Sequence, residues 1–215
     1  MHCPLCRHLA AHPYHRDNSR EYLQCAHCAL VFVPSGFHLS REEERAYYDL
    51  HENGLGDAGY RRFLNRCAGP LMERLDEYAE GLDFGCGPAP LLAQLLEEGG
   101  HPMRVYDPFY APDETALQRR YDFIVTTEVV EHLSAPGPEL EALWRLLRPR
   151  GLLAVMTKRV ISPERFAGWH YTRDPTHICF FSDTTFHWLA GHLRGRLELA
   201  GPDVAFLHKS GVDPE

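Results

Sequence analysis

The sequence predicts an α/β protein, a doubly wound and mostly parallel sheet preceded by a small metal-stapled ribbon, and three observations carry that expectation. From Gly81 onward, apolar runs of strand length alternate with amphipathic stretches of helix length. A glycine-rich bend, Asp83-Phe84-Gly85-Cys86-Gly87-Pro88, follows the first of those runs. Near the N-terminus four cysteines stand as two C-x-x-C pairs.

Composition sets the limits. The chain has 215 residues, 44% hydrophobic and 24% charged, which is ordinary for a globular protein and enough for one medium domain with a small appendage. A formal charge of -8 argues against non-specific attachment to a nucleic-acid backbone, which basic residues would have to drive. No stretch approaches the roughly 20 apolar residues of a membrane span, and no basic, apolar leader opens the chain. A cytoplasmic location is therefore expected; composition says nothing about oligomeric state.

The ribbon comes first along the chain. Cys3, Cys6, Cys25 and Cys28 form C-x-x-C, eighteen residues, C-x-x-C. Two residues between thiolates let both sulfurs of a tight knuckle face one ion, and two knuckles complete a closed tetrahedral shell, the mark of a structural Zn²⁺ site. About 38 residues bury too little apolar surface to fold alone, so the metal would supply the missing stability. Disulfides are disfavoured in a reducing compartment, and a redox motif explains one pair but not two. His2, His8, His12, His15 and His27 read as surface histidines, and Cys67, Cys86 and Cys179 as small buried apolar residues.

The remaining elements follow in order. Glu21 to Pro34 alternates as strands around the second knuckle. Ser40 with Glu43 is a capping-box pattern that opens a helix through Tyr47 and Tyr48, stopped by Gly54 and Gly56; a second helix is expected from Tyr60 to Tyr78. Then come GLDFGCG, LLAQLLEEGG, MRVYD, YDFIVTTE, ELEALWRLLRP and GLLAVMTK, strand and helix in turn. TTFHWLAGHLR as a helix and two short strands about Gly201-Pro202-Asp203 close the sheet. The expected units are a ribbon over 1–38, a helical lead-in or lid over 39–80, and the main domain over 81–215.

The bend after the first parallel strand is where such sheets bind ligands. Glycines allow positive φ and leave the backbone bare, while Pro88 and Pro90 suit a loop and a first helical turn. A dinucleotide fingerprint would need glycine or alanine where Pro90 stands, so NAD fits poorly. Asp83, two places before the first glycine, suits a cationic ligand. Asp107, at the end of the second strand and twenty-two residues beyond Gly85, lies at the spacing from which a carboxylate accepts ribose hydroxyls.

Through D-x-G-x-G in LDFGCG, the acidic strand end in VYDP, and YDFIVTTEVVEHL, residues 81–160 resemble the Rossmann-like class I S-adenosylmethionine-dependent methyltransferases. The whole chain is similar to small bacterial members with an N-terminal zinc ribbon. The resemblance implies that Asp83, Gly85, Cys86 and Gly87 hold the amino-acid part of the cofactor, Asp107 its ribose, and Glu128 the pocket edge at the fourth strand. Ala89 stands where many members have a third glycine. The interval from Asp107 to Tyr121 is too short for a helix and a third strand, so that region is reduced and the adenine contact is unassigned.

Methyl transfer needs alignment and, at an oxygen or nitrogen acceptor, removal of a proton. If a helix starts at Glu128, three- and four-residue spacing brings Glu131 and His132 to its face. This E-x-x-E-H arrangement resembles metal-assisted O-methyltransferases, including small-RNA and quinone-biosynthetic families, in which a downstream histidine joins; His177 is the candidate. A Mg²⁺ ion on Glu128, Glu131, His132 and His177 would lower an acceptor hydroxyl's pKa; the alternative is that Glu131 and His132 brace the sheet. Downstream, Trp169 and Tyr171 are candidates to wall a planar or sugar-like acceptor, with His170 or His177 as base, or else they fill core. Tyr47, Tyr48, His51 and Asn53 are candidates for a lid over the cofactor, with Tyr48 and His51 also candidate acceptor contacts; helix packing is the alternative for the tyrosines. The expected catalytic set is His177, Glu128, His132 and Tyr171, acting on a small molecule at oxygen. RNA methylation through the ribbon and a non-catalytic cofactor-binding module are the rival readings.

Overall fold

Strand pairing in this chain begins earlier than the cysteine spacing alone suggests. In the computed structural model, which describes residues 2–50 and 57–211, strands β1 (Ala11–Arg16) and β2 (Glu21–Cys25) form an antiparallel hairpin between the two knuckles, and β3 (Val31–Phe32) pairs with β2. The hairpin turn is tied by Asp17, whose carboxylate accepts from the backbone of Ser19 and Arg20. β1 was not expected: polar AHPYHR carries no apolar alternation, and it pairs because its partner and the knuckles hold it.

Helix α1 (Arg41–Tyr48) begins with the capping box the sequence announced: Ser40 accepts from the Glu43 amide, and Glu43 accepts from that of Ser40. Helix α2 (Ala58–Met72) is capped by Asp57 and buries Leu64, Cys67, Ala68 and Leu71. It stops six residues short of Tyr78, because a turn closes from Ala79 to Asp76 and Tyr78 takes a positive φ of 59°, which no helix continues through.

The elements of the main domain then follow: β4 (Gly81–Phe84), α3 (Leu91–Glu98), β5 (Met103–Tyr106), β6 (Tyr121–Thr127), α4 (Pro136–Leu146), β7 (Leu147–Met156), α5 (Pro163–Phe166), β8 (Cys179–Phe180), α6 (Asp183–His192), β9 (Arg196–Ala200) and β10 (Val204–His208), all of these strands but β8 forming the main sheet. Its order is β5-β4-β6-β7-β10-β9, with β5, β4, β6 and β7 parallel and β10 antiparallel to both neighbours. Between β5 and β6 lie an isolated Asp107–Ala111 bridge and a short 3₁₀ turn, Glu114–Gln118, so among the described residues no further parallel strand follows β5, which is an edge.

The two-residue strand period sorts the core into two layers. Phe123, Val125, Leu152, Ala154, Met156 and Phe206 face α2 and α3. Ile124, Leu153, Val155, Ala205 and Leu207 face the other way, into a cluster shared with α4, α6 and the ribbon. The division expected at residue 38 is therefore bridged in space. β3 pairs with β8, Val31 opposite Phe180 and Phe32 opposite Cys179, so one small sheet contains strands from both sides of that boundary. The first knuckle sits against α4 so closely that a Cβ on Gly137 would lie 2.1 Å from the Leu5 carbonyl oxygen. Likewise, α2 packs on the sheet through Leu64, Cys67, Ala68 and Leu71.

Candidate active site and thiolate cluster

The four ribbon thiols lie within 4.8 Å of one another, with Cys3 Sγ 3.5 Å from Cys28 and Cys6 Sγ 3.4 Å from Cys25. A disulfide needs about 2 Å; these separations instead suit four sulfurs around one ion. The hydrogen bond from Cys28 draws Cys3 down to about 5, whereas burial pushes Cys6 up to about 12 and Cys28 is raised by its bond to Cys3. Four thiolates cannot ionise together here without a cation to share. Cys67 and Cys179 are core residues, and Cys86 is nearly covered.

The bend after β4 has the geometry a ligand loop requires. Gly85 has φ +81°, and a Cβ there would meet Val129 Cγ2 at 2.3 Å. Gly87 has φ +65° with nothing within 4 Å of its missing Cβ, so its bare backbone opens toward the cavity. Asp83 is buried at the end of β4, and burial pushes its carboxyl up to about 7. A cation placed beside it would reverse that shift. Asp107 accepts from the Gly87 amide (3.0 Å) and from the amides of Phe109 and Tyr110 (2.8 and 3.0 Å). It thus braces the bend from the neighbouring strand, using three of about four lone-pair positions. Cys86 donates its thiol to the Gly87 carbonyl, and burial raises it to about 12.

The segment after β6 departs from the expected helix. Glu128 has φ +52°, so residues 128–133 form a turn, closed by His132 donating to the Val129 carbonyl, and helix α4 waits for Pro136. Glu131 is fully buried and accepts a hydrogen bond from the Tyr171 hydroxyl, whose oxygen also lies 3.0 Å from Thr157 Oγ1 and 3.3 Å from Glu128 Oε2. Burial raises Glu128 to about 7 and holds Glu131 well above the carboxylate range, with Glu128 adding to the latter effect. One oxygen on each of these carboxyls, Glu128 Oε1 and Glu131 Oε2, is buried without a hydrogen-bond partner. In a finished protein such atoms face a ligand, an ion or water.

His132 and His177 complete the cluster. Glu131, His132 and His177 place one ligand atom each within 4.8 Å of one another, and Glu128 stands outside that trio. His132 Nδ1 lies 3.2 Å from the Thr176 carbonyl and His177 Nδ1 2.8 Å from that of Tyr171. A carbonyl only accepts, so both rings donate from Nδ1, and Nε2 of His177 lies 3.7 Å from the Asp174 carboxylate.

A cavity of about 1370 Å³ joins the two regions, running from the Asp83–Gly87 bend past Glu128 to His132, Tyr171 and His177. That exceeds an ordinary single-ligand pocket of roughly 300–1,000 Å³ and leaves room for two ligands. Tyr48 lines it, edge-on to His132, as do His170, hydrogen-bonded to Lys158 at the rim, and Tyr60, Phe63, Phe109 and Tyr110. The last four went unread in the sequence, although Tyr60 and Phe63 show the three-residue spacing of one helix face. Trp169 does not line the cavity: it packs among Phe166, Tyr171 and Phe180, because the chain turns inward there to join β8. His51 and Asn53 lie outside the described residues.

Comparisons with known proteins agree with this geometry. A methyltransferase-domain family matches residues 54–195. A ubiquinone biosynthesis O-methyltransferase of Caulobacter vibrioides is 35% identical over 78 residues, 36% of this chain and only 23% of that protein. Among solved structures, a Burkholderia thailandensis 1,6-didemethyltoxoflavin-N1-methyltransferase with bound S-adenosylhomocysteine superposes with TM-score 0.57 at 17% identity, covering 93% of this chain and all of that one. Streptomyces venezuelae DesVI gives 0.54 at 14%, covering 80% of this chain and all of that one. At these identities the structures attest the fold. No helix among the described residues is long and apolar enough to cross a membrane. With the family match spanning most of the main sheet and the bare-backbone bend in place, the chain belongs to the class I S-adenosylmethionine-dependent methyltransferases.

Proposed function

We propose that this methyltransferase acts on a small hydroxylated acceptor, aromatic or sugar-like, at oxygen. The observation that carries the reading is the juxtaposition, along one cavity, of the Asp83–Gly87 bend with Glu128, His132, Tyr171 and His177, behind which Glu131 lies buried. The matched O-methyltransferase of Caulobacter vibrioides supports oxygen as the target.

S-adenosylmethionine, when bound, supplies an electrophilic methyl on a sulfonium. Asp83 and the side-chain-free backbone at Gly85 and Gly87 receive its amino-acid end, and Asp107 and the Tyr106 carbonyl keep that bend in shape by taking its amides, with the remaining Asp107 lone pair offered to the ribose. The acceptor hydroxyl sits between Glu128 and His177, where Nε2 of His132 or His177 takes its proton. The large cavity must exclude water around the reacting atoms, a task for Tyr48 and Phe109 over the site.

The same cluster has the donor set of a cation site, and the unpartnered Glu131 Oε2 fits one. Two imidazoles and one carboxylate suit a transition metal better than the Mg²⁺ expected from the sequence, which prefers oxygen ligands. Such an ion would take the Nε2 atoms, so that the ion, and not a free imidazole, would then promote deprotonation by lowering the acceptor hydroxyl's pKa. Zinc is the ion proposed for the four thiolates.

Incubation with S-adenosylmethionine and a panel of ortho-dihydroxy aromatics and nucleoside-diphosphate sugars, read by mass spectrometry, should give an O-methyl product. His177→Ala should lower kcat about 100-fold or more, in the range of a lost general base, with S-adenosylhomocysteine affinity unchanged. Methylation of RNA alone, or cofactor binding without turnover on any class, would overturn the reading.

A further inference from the structure

Arg20 sits in the hairpin between the two cysteine knuckles, where sequence reading assigned nothing, yet it is only 6% exposed. Its Nε donates to the Tyr22 hydroxyl at 2.8 Å, and that hydroxyl donates to Asp17 at 2.7 Å, which fixes the guanidinium's orientation. The other two nitrogens leave the ribbon altogether. Nη1 donates to the Pro175 carbonyl at 3.0 Å, and Nη2 to the carbonyls of Thr172 and Asp174 at 2.7 and 2.8 Å.

That loop is the one whose remaining carbonyls orient the site histidines. Tyr171 gives its carbonyl to His177 Nδ1, and Thr176 gives its own to His132 Nδ1. From 171 to 176, then, five of six carbonyls are engaged: the outer two by the imidazoles, and three between them by Arg20. The loop continues into β8, whose pairing with β3 anchors its far end to the ribbon as well. A guanidinium's planar fork can satisfy several acceptors at once.

We propose that Arg20 is a positioning residue: it holds the 171–176 backbone so that the Thr176 and Tyr171 carbonyls keep His132 and His177 as Nδ1–H donors and fix the orientation of both rings at the site. The ribbon is accordingly a wall of the active site and not only an appendage. This rests on the reading of the two histidines given above, and its test separates the two. Nη-to-carbonyl bonds are absent from Arg20→Ala, while Arg20→Lys keeps the charge without the fork.

In full-length, zinc-loaded protein, long-range proton–nitrogen NMR of the imidazoles, assigned with His132→Gln and His177→Gln, should show both rings as Nδ1–H at a pH where they are neutral. In Arg20→Ala both should become tautomeric mixtures. Loss of a residue that orients others at a site typically costs about 10–100-fold in activity, so kcat should fall by that much, with S-adenosylhomocysteine affinity and zinc content within about twofold of the parent. Arg20→Lys should restore the melting temperature but not the tautomers. Tautomers unchanged in Arg20→Ala, or in Arg20→Lys should the alanine variant not fold, would overturn the proposal, as would full rescue of kcat by lysine. If the tautomers shift while His132→Ala and His177→Ala turn over like the parent, the positioning stands and the catalytic reading of the histidines falls.

Discussion

Replacing Asp83 by Asn tests the cofactor bend through two opposite effects. The carboxyl is fully enclosed at the end of β4, and burial moves it from its ordinary 3.8 to about 7. A carboxyl raised in the folded state favours folding most below pH about 4, and that stability is lost as pH climbs through about 7. At pH 8 the apoprotein therefore carries a cost of about 4 kcal/mol from holding this charge. Asn removes the charge but leaves a buried NH₂ without an assured acceptor, at about 1–3 kcal/mol. The balance is a gain of about 1–3 kcal/mol over the parent at pH 8 and a loss of about 1–2 kcal/mol at pH 4. Cofactor binding should move the other way, because a charge-assisted hydrogen bond of about 1.5–3 kcal/mol is lost, weakening affinity by roughly 10–150-fold at pH 8. Urea unfolding at the two pH values, with calorimetry on S-adenosylhomocysteine, measures both. A variant less stable than the parent at pH 8, or one that binds as tightly, would refute the reasoning.

Gly85→Ala should destabilise by about 2–4 kcal/mol, because the new Cβ meets Val129 Cγ2 at 2.3 Å and φ is +81°. Adding Val129→Ala should recover the clash but not the strain, and full additivity in that double-mutant cycle would contradict the geometry. Chelation, or Cys25→Ser, should release one zinc per chain and lower Tm by about 4–8 °C, what about 2 kcal/mol gives in a chain this long, since β3 and β8 share a sheet. A Tm unaffected by metal removal would mean that the ribbon is independent of the main domain.

What the sequence determined by itself is local, and local physics explains why it was legible. The two C-x-x-C pairs dictate a four-thiolate shell because ligand spacing within a knuckle is short-range. Ser40 and Glu43 satisfy each other's amides within one turn, and Gly85 and Gly87 declare positive φ at the bend. The alternation from Gly81 gave the order of strands and helices, and the short stretch after Asp107 pointed to a reduced region there. Tertiary structure decided the rest, because it depends on residues far apart in the chain. Arg20 reaches carbonyls more than 150 positions away, β3 finds β8, and Tyr171 joins Glu131 across forty residues. Glu128 turns left-handed where periodicity suggested a helix, and Trp169 turns inward where composition suggested a binding wall. The fate of those side chains was set by which buried polar atoms and apolar faces the completed fold left to be matched, and no window of sequence contains that information.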